Sequence, residues 1–341
     1  MRLSLSQGLN YPEIDTLDDD YFAYWTQLNQ SDERVRFVAI LNIADEEREE
    51  LLPWLHYAVQ HDPAELVRLE AAKRLEGWED EASIKALVTA LYDDSAHVVD
   101  TATQSLSEVK QSQSADVLGQ FLDQPQVPVK IAILRALKPL RAVQLYTQIE
   151  AHTAHENALV RREAVSALSW LQQPQGIDVL AKIVEKETDV ETRRIATGGL
   201  AYAKKATPIV QQALQVALVA EDWQLRVESA LTIGRLKLVA LEQILIDSLQ
   251  DDYWQVRIAT VRSLGLIQSQ HAFEELALNF NFEISNLRKE VALALGEIGG
   301  DQAEQLLNQH AEDPDPEVRK AIRISLNQIQ DKQIRENQHA E

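Results

Sequence analysis

Apolar residues recur along this chain in paired stripes. Each stripe has the three-and-four spacing of one helix face, and short polar breaks separate the stripes. The last pair shows the plan. Ala303, Leu306, Leu307 and Ala311 mark a first helix, and Asp313-Pro314-Asp315-Pro316 breaks it. Val318, Ile322 and Leu326 then stripe a second helix. Asp315 is placed to cap that helix, with Pro316 at its first position, where the missing N–H costs nothing. The pattern returns ten times. A marker in the second helix falls at Arg36, Arg68, Val99, Lys130, Arg161, Arg193, Arg226, Arg257, Arg288 and Arg319, with gaps of 31 to 33 residues. Seven residues after each marker stands a Leu or Ile: Ile43, Leu75, Leu106, Leu137, Leu168, Leu200, Ile233, Leu264, Leu295 and Leu326. One helix pair cannot bury its own stripe, but stacked pairs can. A fixed period of this size therefore predicts an all-α solenoid of about ten two-helix repeats.

The markers have a structural reading. An acid precedes most of them by a few residues: Asp32, Asp62, Asp94, Asp123, Glu156, Asp189, Asp222, Asp252, Glu283 and Asp315. Acid and guanidinium can bridge repeat to repeat as a ladder, because arginine donates several hydrogen bonds in a fixed fork. The phrase Asp-Pro-x-Val-Arg, with Leu264-Gly265 and Leu295-Gly296 closing two repeats, resembles the short HEAT repeat of the phycobilin-lyase type. The resemblance covers about residues 20 to 330. It implies an α-solenoid whose second helices line a concave face. It says little about activity, because the family is defined by its scaffold.

Charge adds an asymmetry. The net charge is −21, and residues 1–100 carry 22 acids against 8 bases. Asp45, Glu46 and Glu47, and Glu79, Asp80 and Glu81, fall near the loops after second helices. They are candidates for docking a basic partner. The nine-residue windows starting at the markers sum to +13, and the rest of the chain carries −34. Arg135 and Arg262 are candidate exposed bases on a mildly basic concave face. Once the ladder residues are set aside only +4 remains, too thin for a phosphate-binding groove, which argues against nucleic acid.

Few residues suggest chemistry. With no cysteine, disulfides and thiolate sites are excluded. His152 and His155 sit three apart, but no further metal ligand accompanies them. The architecture is similar to that of deoxyhypusine hydroxylase, whose irons need repeated His-Glu pairs, and this chain has one, His155-Glu156. No cofactor is implied. Trp223 and Trp254 share one repeat position and should stack on an edge beside Tyr253, a candidate partner anchor. Trp170, after Leu168, reads as core, and Gly198-Gly199 falls inside a second helix as a point of close approach.

The domain reading is an arm or cap over 1–17, one solenoid over 18–330 and a polar, fraying tail over 331–341. The run Asp18-Asp19-Asp20 suits a helix start. With no apolar run fit for a signal peptide or a membrane span, a cytoplasmic location is the expectation. The functional expectation is a non-enzymatic scaffold that binds a protein or peptide through its concave face, the aromatic edge or its acidic N-terminal repeats. Its specific form is an inhibitor or immunity protein for a basic partner. The alternative is a phycobilin lyase-like chromophore lyase or chaperone.

Overall fold

The computed structural model describes residues 9–14 and 21–339, with side chains as far as Arg335. Asp18-Asp19-Asp20 lies outside the described residues. Twenty α-helices and no strand occur among those described. They form two compact units, 1–171 and 172–341.

The first unit contains α1 (Phe22–Leu28), α2 (Glu33–Asp45), α3 (Leu52–His61), α4 (Glu65–Arg74), α5 (Glu81–Ala90), α6 (Ala96–Ser107), α7 (Ser114–Gly119), α8 (Val127–Leu140), α9 (Tyr146–His152) and α10 (Ala158–Leu171). The second contains α11 (Ile177–Lys186), α12 (Val190–Gly199), α13 (Pro208–Leu218), α14 (Trp223–Arg235), α15 (Glu242–Asp247), α16 (Trp254–Leu266), α17 (Phe273–Phe280), α18 (Ser285–Ile298), α19 (Asp301–Gln309) and α20 (Pro316–His339). Each unit is a stack of five helix pairs. The even-numbered helices carry the markers and pack in series, α2 to α10 in one unit and α12 to α20 in the other.

Burial follows the period. Nine of the ten Leu/Ile positions after the markers are buried, and Leu326 in α20 is half-buried. Glycine sets the spacing of the later second helices. A Cβ on Gly234 would lie 2.8 Å from the Ser263 backbone, and one on Gly265 would lie 3.0 Å from that of Ala294. At Gly296 it would lie 2.9 Å from the Ser325 backbone. Gly198 and Gly199 close α12 rather than sitting mid-helix. A Cβ on Gly198 would meet only the Glu228 side chain, at 2.9 Å.

Two local expectations change. Trp170 is not core. It is 47% exposed, with the Arg141 guanidinium 5.9 Å above its ring. Leu168 and Leu171 take the inward face of α10, and Trp170, about 200° round from Leu168, points outward. The segment after 330 does not start as a loose tail, because α20 continues through it to His339. Lys332 Nζ there donates to the carbonyls of Gly296 and Glu297, at 3.2 and 2.8 Å, which end α18. Residues 9–14 of the arm act as a cap. Tyr11 is buried, and its hydroxyl donates to Asp62 at 2.7 Å. The Trp25 and Trp54 indoles donate to the carbonyls of Tyr11 and Pro12, at 3.0 and 2.8 Å.

Candidate functional site

The ladder exists, but most of its acids differ from those expected. Arg36 grips Asp62 through Nε and Nη2, at 2.8 and 2.9 Å. Arg68 holds Asp93 (2.6 and 2.9 Å), Arg226 holds Asp251 (2.7 and 2.9 Å) and Arg288 holds Asp313 (2.7 and 3.0 Å). Each aspartate also accepts the N–H two residues on, from Ala64, Ser95, Tyr253 and Asp315. Each arginine's Nη1 donates to two carbonyls of its own preceding turn; Arg288, for example, bonds to Phe282 and Glu283. The rung acid lies six residues before the next marker. Asp32, Asp189, Asp222 and Asp315 instead accept backbone N–H groups at helix starts. Where the rung residue is aromatic, Arg257 lies over Phe282 at 4.7 Å. These arginines belong to the scaffold.

The two candidate bases of the concave face are also occupied. Arg135 and Lys138 both bind Glu163, at 2.9 and 2.6 Å, and Arg262 forks onto Glu290 at 2.9 and 2.8 Å. Burial pushes the Glu163 carboxyl up, and the two cations outweigh it, so it sits below its ordinary value. Arg135 and Arg262 are therefore half-exposed but neutralised. At these positions the mildly basic face expected from counting charges is paired off locally. On the aromatic edge, Trp223 stacks on Tyr253 at 5.7 Å with planes 8° apart, and Arg226 lies 5.5 Å over the Tyr253 ring. Trp254 is half-buried and takes no part in that stack.

The acidic loops of the first unit form a groove of about 700 Å³. Leu52, Pro53 and Trp78 supply apolar lining, and Glu49, Glu79, Asp80, His56, Gln111 and Gln113 supply the polar walls. Two of the expected carboxylates are structural. Glu79 accepts the N–H groups of Lys110 and Gln111 and the Ser114 hydroxyl, at 3.0, 2.8 and 2.8 Å. Asp80 caps α5, accepting the Ser83 N–H at 3.0 Å and its hydroxyl at 2.5 Å. Asp45 meets Arg74 at 3.3 Å, Glu46 accepts from the Tyr24 hydroxyl at 3.0 Å and Glu81 pairs with Lys85. Glu47, Glu49 and Glu76 are exposed. Counting acids could not show which carboxylates were committed, because partners such as those of Glu79 and Asp45 come from the next repeat.

His56, Ser83 and Asp80 are in line, yet they do not form a nucleophile with its base. The Ser83 hydroxyl gives its proton to Asp80, and His56 Nε2 lies 2.7 Å from the same oxygen. Serine stands in the middle and has no exposed surface, so it has no route to a substrate. Burial pushes the His56 imidazole down, against the pull of Asp80, so it is neutral at pH 7. His152 and His155 are committed as well. His152 lies between Lys130 Nζ at 3.2 Å and the Gln148 carbonyl at 2.8 Å, and His155 Nδ1 accepts the Asn157 N–H at 3.0 Å. Among the described residues no group of three or more His, Cys, Asp or Glu could hold a metal, and no helix is long and apolar enough to cross a membrane.

The family description HEAT repeats matches residues 25–107, 52–138, 115–201 and 283–335, more than half of the chain. The chain belongs to the HEAT-repeat family. An engineered protein superposes with a TM-score of 0.53 at 18% identity, covering 92% of this HEAT-repeat chain and 99% of that one. Kap121p superposes with a TM-score of 0.55 at 13% identity, covering 93% of this chain and 42% of that one. These likenesses show the fold. Human deoxyhypusine hydroxylase matches at 18% identity over 73% of this chain and 96% of that one, but its TM-score of 0.33 carries no chemistry across. No curated protein matches. The HEAT architecture is a repeat scaffold of a kind suited to protein interaction.

Proposed function

We propose that this HEAT-repeat protein is a non-enzymatic scaffold that binds a basic protein segment in the acidic groove of its first unit. The groove carries the reading. It joins apolar lining to the held carboxylates of Glu79 and Asp80; Glu49 lines it too, and Glu47, Glu50, Glu76 and Glu81 are exposed acids in the same loops or at the adjoining helix start. Locked carboxylates need little ordering when a cation arrives, which lowers the entropic cost of binding. The charge of −21 would draw a basic partner over distances of about a Debye length. An inhibitor covering a basic enzyme is one form of such a scaffold.

The test alters exposed carboxylates that hold no other repeat in place and spares Glu79 and Asp80. A variant with Glu47, Glu49, Glu50, Glu76 and Glu81 replaced by Gln should keep the wild-type far-ultraviolet spectrum. It should lose the protein that wild type retains from source lysate. Equal retention by both proteins, or recovery of a bound pigment in place of a protein, would contradict the reading.

A further inference from the structure

The groove of the first unit holds a histidine whose proton can be placed. The Ser83 hydroxyl donates to Asp80 at 2.5 Å, so its oxygen meets His56 Nε2, 2.7 Å away, as an acceptor. The imidazole proton is therefore on Nε2, and Nδ1 of the neutral ring is a bare acceptor. That nitrogen has no hydrogen-bond partner among the described residues. Two other helical histidines show the contrast. His152 and His310 turn Nδ1 onto carbonyls one turn back, those of Gln148 and Leu306, at 2.8 and 3.0 Å. A bare Nδ1 cannot do the same, because a carbonyl oxygen also only accepts.

The surroundings fit a cation. His56 is half-buried in α3, and its ring lines the groove with Leu52, Pro53 and Trp78. Glu79 and Asp80 enter from the start of α5, and Glu49 enters from the turn ahead of α3. Gln111 and Gln113 complete the polar wall without charge, and α4, which also packs on α3, lends no side chain to the lining. Among the described residues no lysine or arginine lines the groove. It thus presents carboxylates and one bare imidazole nitrogen, with no cation of its own.

We propose that His56 reads a lysine in the bound segment: Nδ1 accepts from the lysine ammonium, and protonation of the ring expels it. This role rests on the groove being the site of a basic segment. An ammonium suits the place, because it carries three donors on one point charge: one reaches the nitrogen and the others reach the neighbouring carboxylates. When His56 takes up a second proton, Nδ1 becomes a donor and the groove acquires a cation of its own. Burial pushes the imidazole down against the pull of Asp80, so that proton arrives only below the ordinary value of 6.5. Lysine capture is therefore complete at neutral pH and is lost as pH falls through the lowered value.

The test follows the imidazole nitrogens of the full chain by NMR, with acetylated, amidated tetralysine as the probe. The His56 signals are those that disappear in His56→Gln. Without peptide at neutral pH they should show the proton on Nε2; a proton on Nδ1 overturns the proposal. Tetralysine should shift the Nδ1 signal and saturate at low-millimolar peptide. Its dissociation constant should rise about threefold or more as the His56 signal titrates. The His56→Gln side chain can still donate to Ser83 but does not titrate. That variant should bind more weakly at neutral pH and lose most of the pH dependence. Binding that leaves Nδ1 unmoved, or a pH dependence shared by wild type and His56→Gln, overturns the role of His56 and leaves the groove reading intact. Absence of tetralysine binding at any pH overturns both.

Discussion

At the scale of single residues, the rung aspartates do two jobs at once. Asp313 takes two bonds from Arg288 and caps the turn that starts α20. The hydrogen bonds of Arg288 hold the Asp313 carboxyl below its ordinary value against the opposing effect of burial, and the Asp315 N–H assists. A lowered folded-state value means that the unfolded chain takes up the proton first. The stabilisation is thus complete above the ordinary carboxylate range near pH 4 and is lost as pH falls through the lowered value. Asp313→Asn should be less stable than wild type at pH 7 and should lose less on going to pH 3, as read from urea midpoints. Parallel losses in the two proteins would show that Asp313 does not titrate as this geometry requires. Adjacent acids hid the rung in the sequence. Asp93 and Asp94, like Asp251 and Asp252, are indistinguishable by composition, and only the turn geometry selects the first of each pair.

At the scale of elements, the repeat is legible where it is periodic and illegible where contacts are long-range. The core Leu/Ile positions and the cap at Asp315 follow from spacing. The Tyr11 hydroxyl on Asp62 links positions 51 residues apart, and no period points to it. The outward turn of Trp170 was available from helix geometry, because it is two residues from the inward Leu168. One break in the ladder is matched on both sides: Val99 replaces an arginine, and Gln124 occupies the register position of the acid it would meet. Val99→Arg alone should destabilise, and Val99→Arg with Gln124→Asp should recover part of the loss. The coupling energy should be about 1 kcal/mol or more in a double-mutant cycle; zero coupling would mean that this turn cannot form a rung. Glycines separate in the same way. Gly234→Ala should cost about 1–3 kcal/mol by overpacking against the Ser263 backbone, despite alanine's better helix propensity. Gly198→Ala should be nearly neutral, because only the Glu228 side chain must move. Equal costs at the two sites would refute a spacing role for Gly234.

At the scale of the molecule, the rung pairs and the Glu163 and Glu290 clusters hold repeats together, while many acids of the first-unit loops stay exposed. Arg135 and Arg262 are bound to Glu163 and Glu290, so these two bases offer little to an anionic polymer. Exposed carboxylates of the first-unit loops, Glu47, Glu49 and Glu76 among them, are the ground on which we propose this edge as the site for a basic partner. Electrostatic steering acts mainly on the association rate and weakens with salt. The most direct measurement is the association rate constant of the captured partner with wild type and with the five-Gln variant, at low and high salt. The account predicts a wild-type rate that falls steeply with salt, and a variant rate that is about tenfold lower at low salt and nearly independent of salt. Identical rates and identical salt dependence for the two proteins would contradict it.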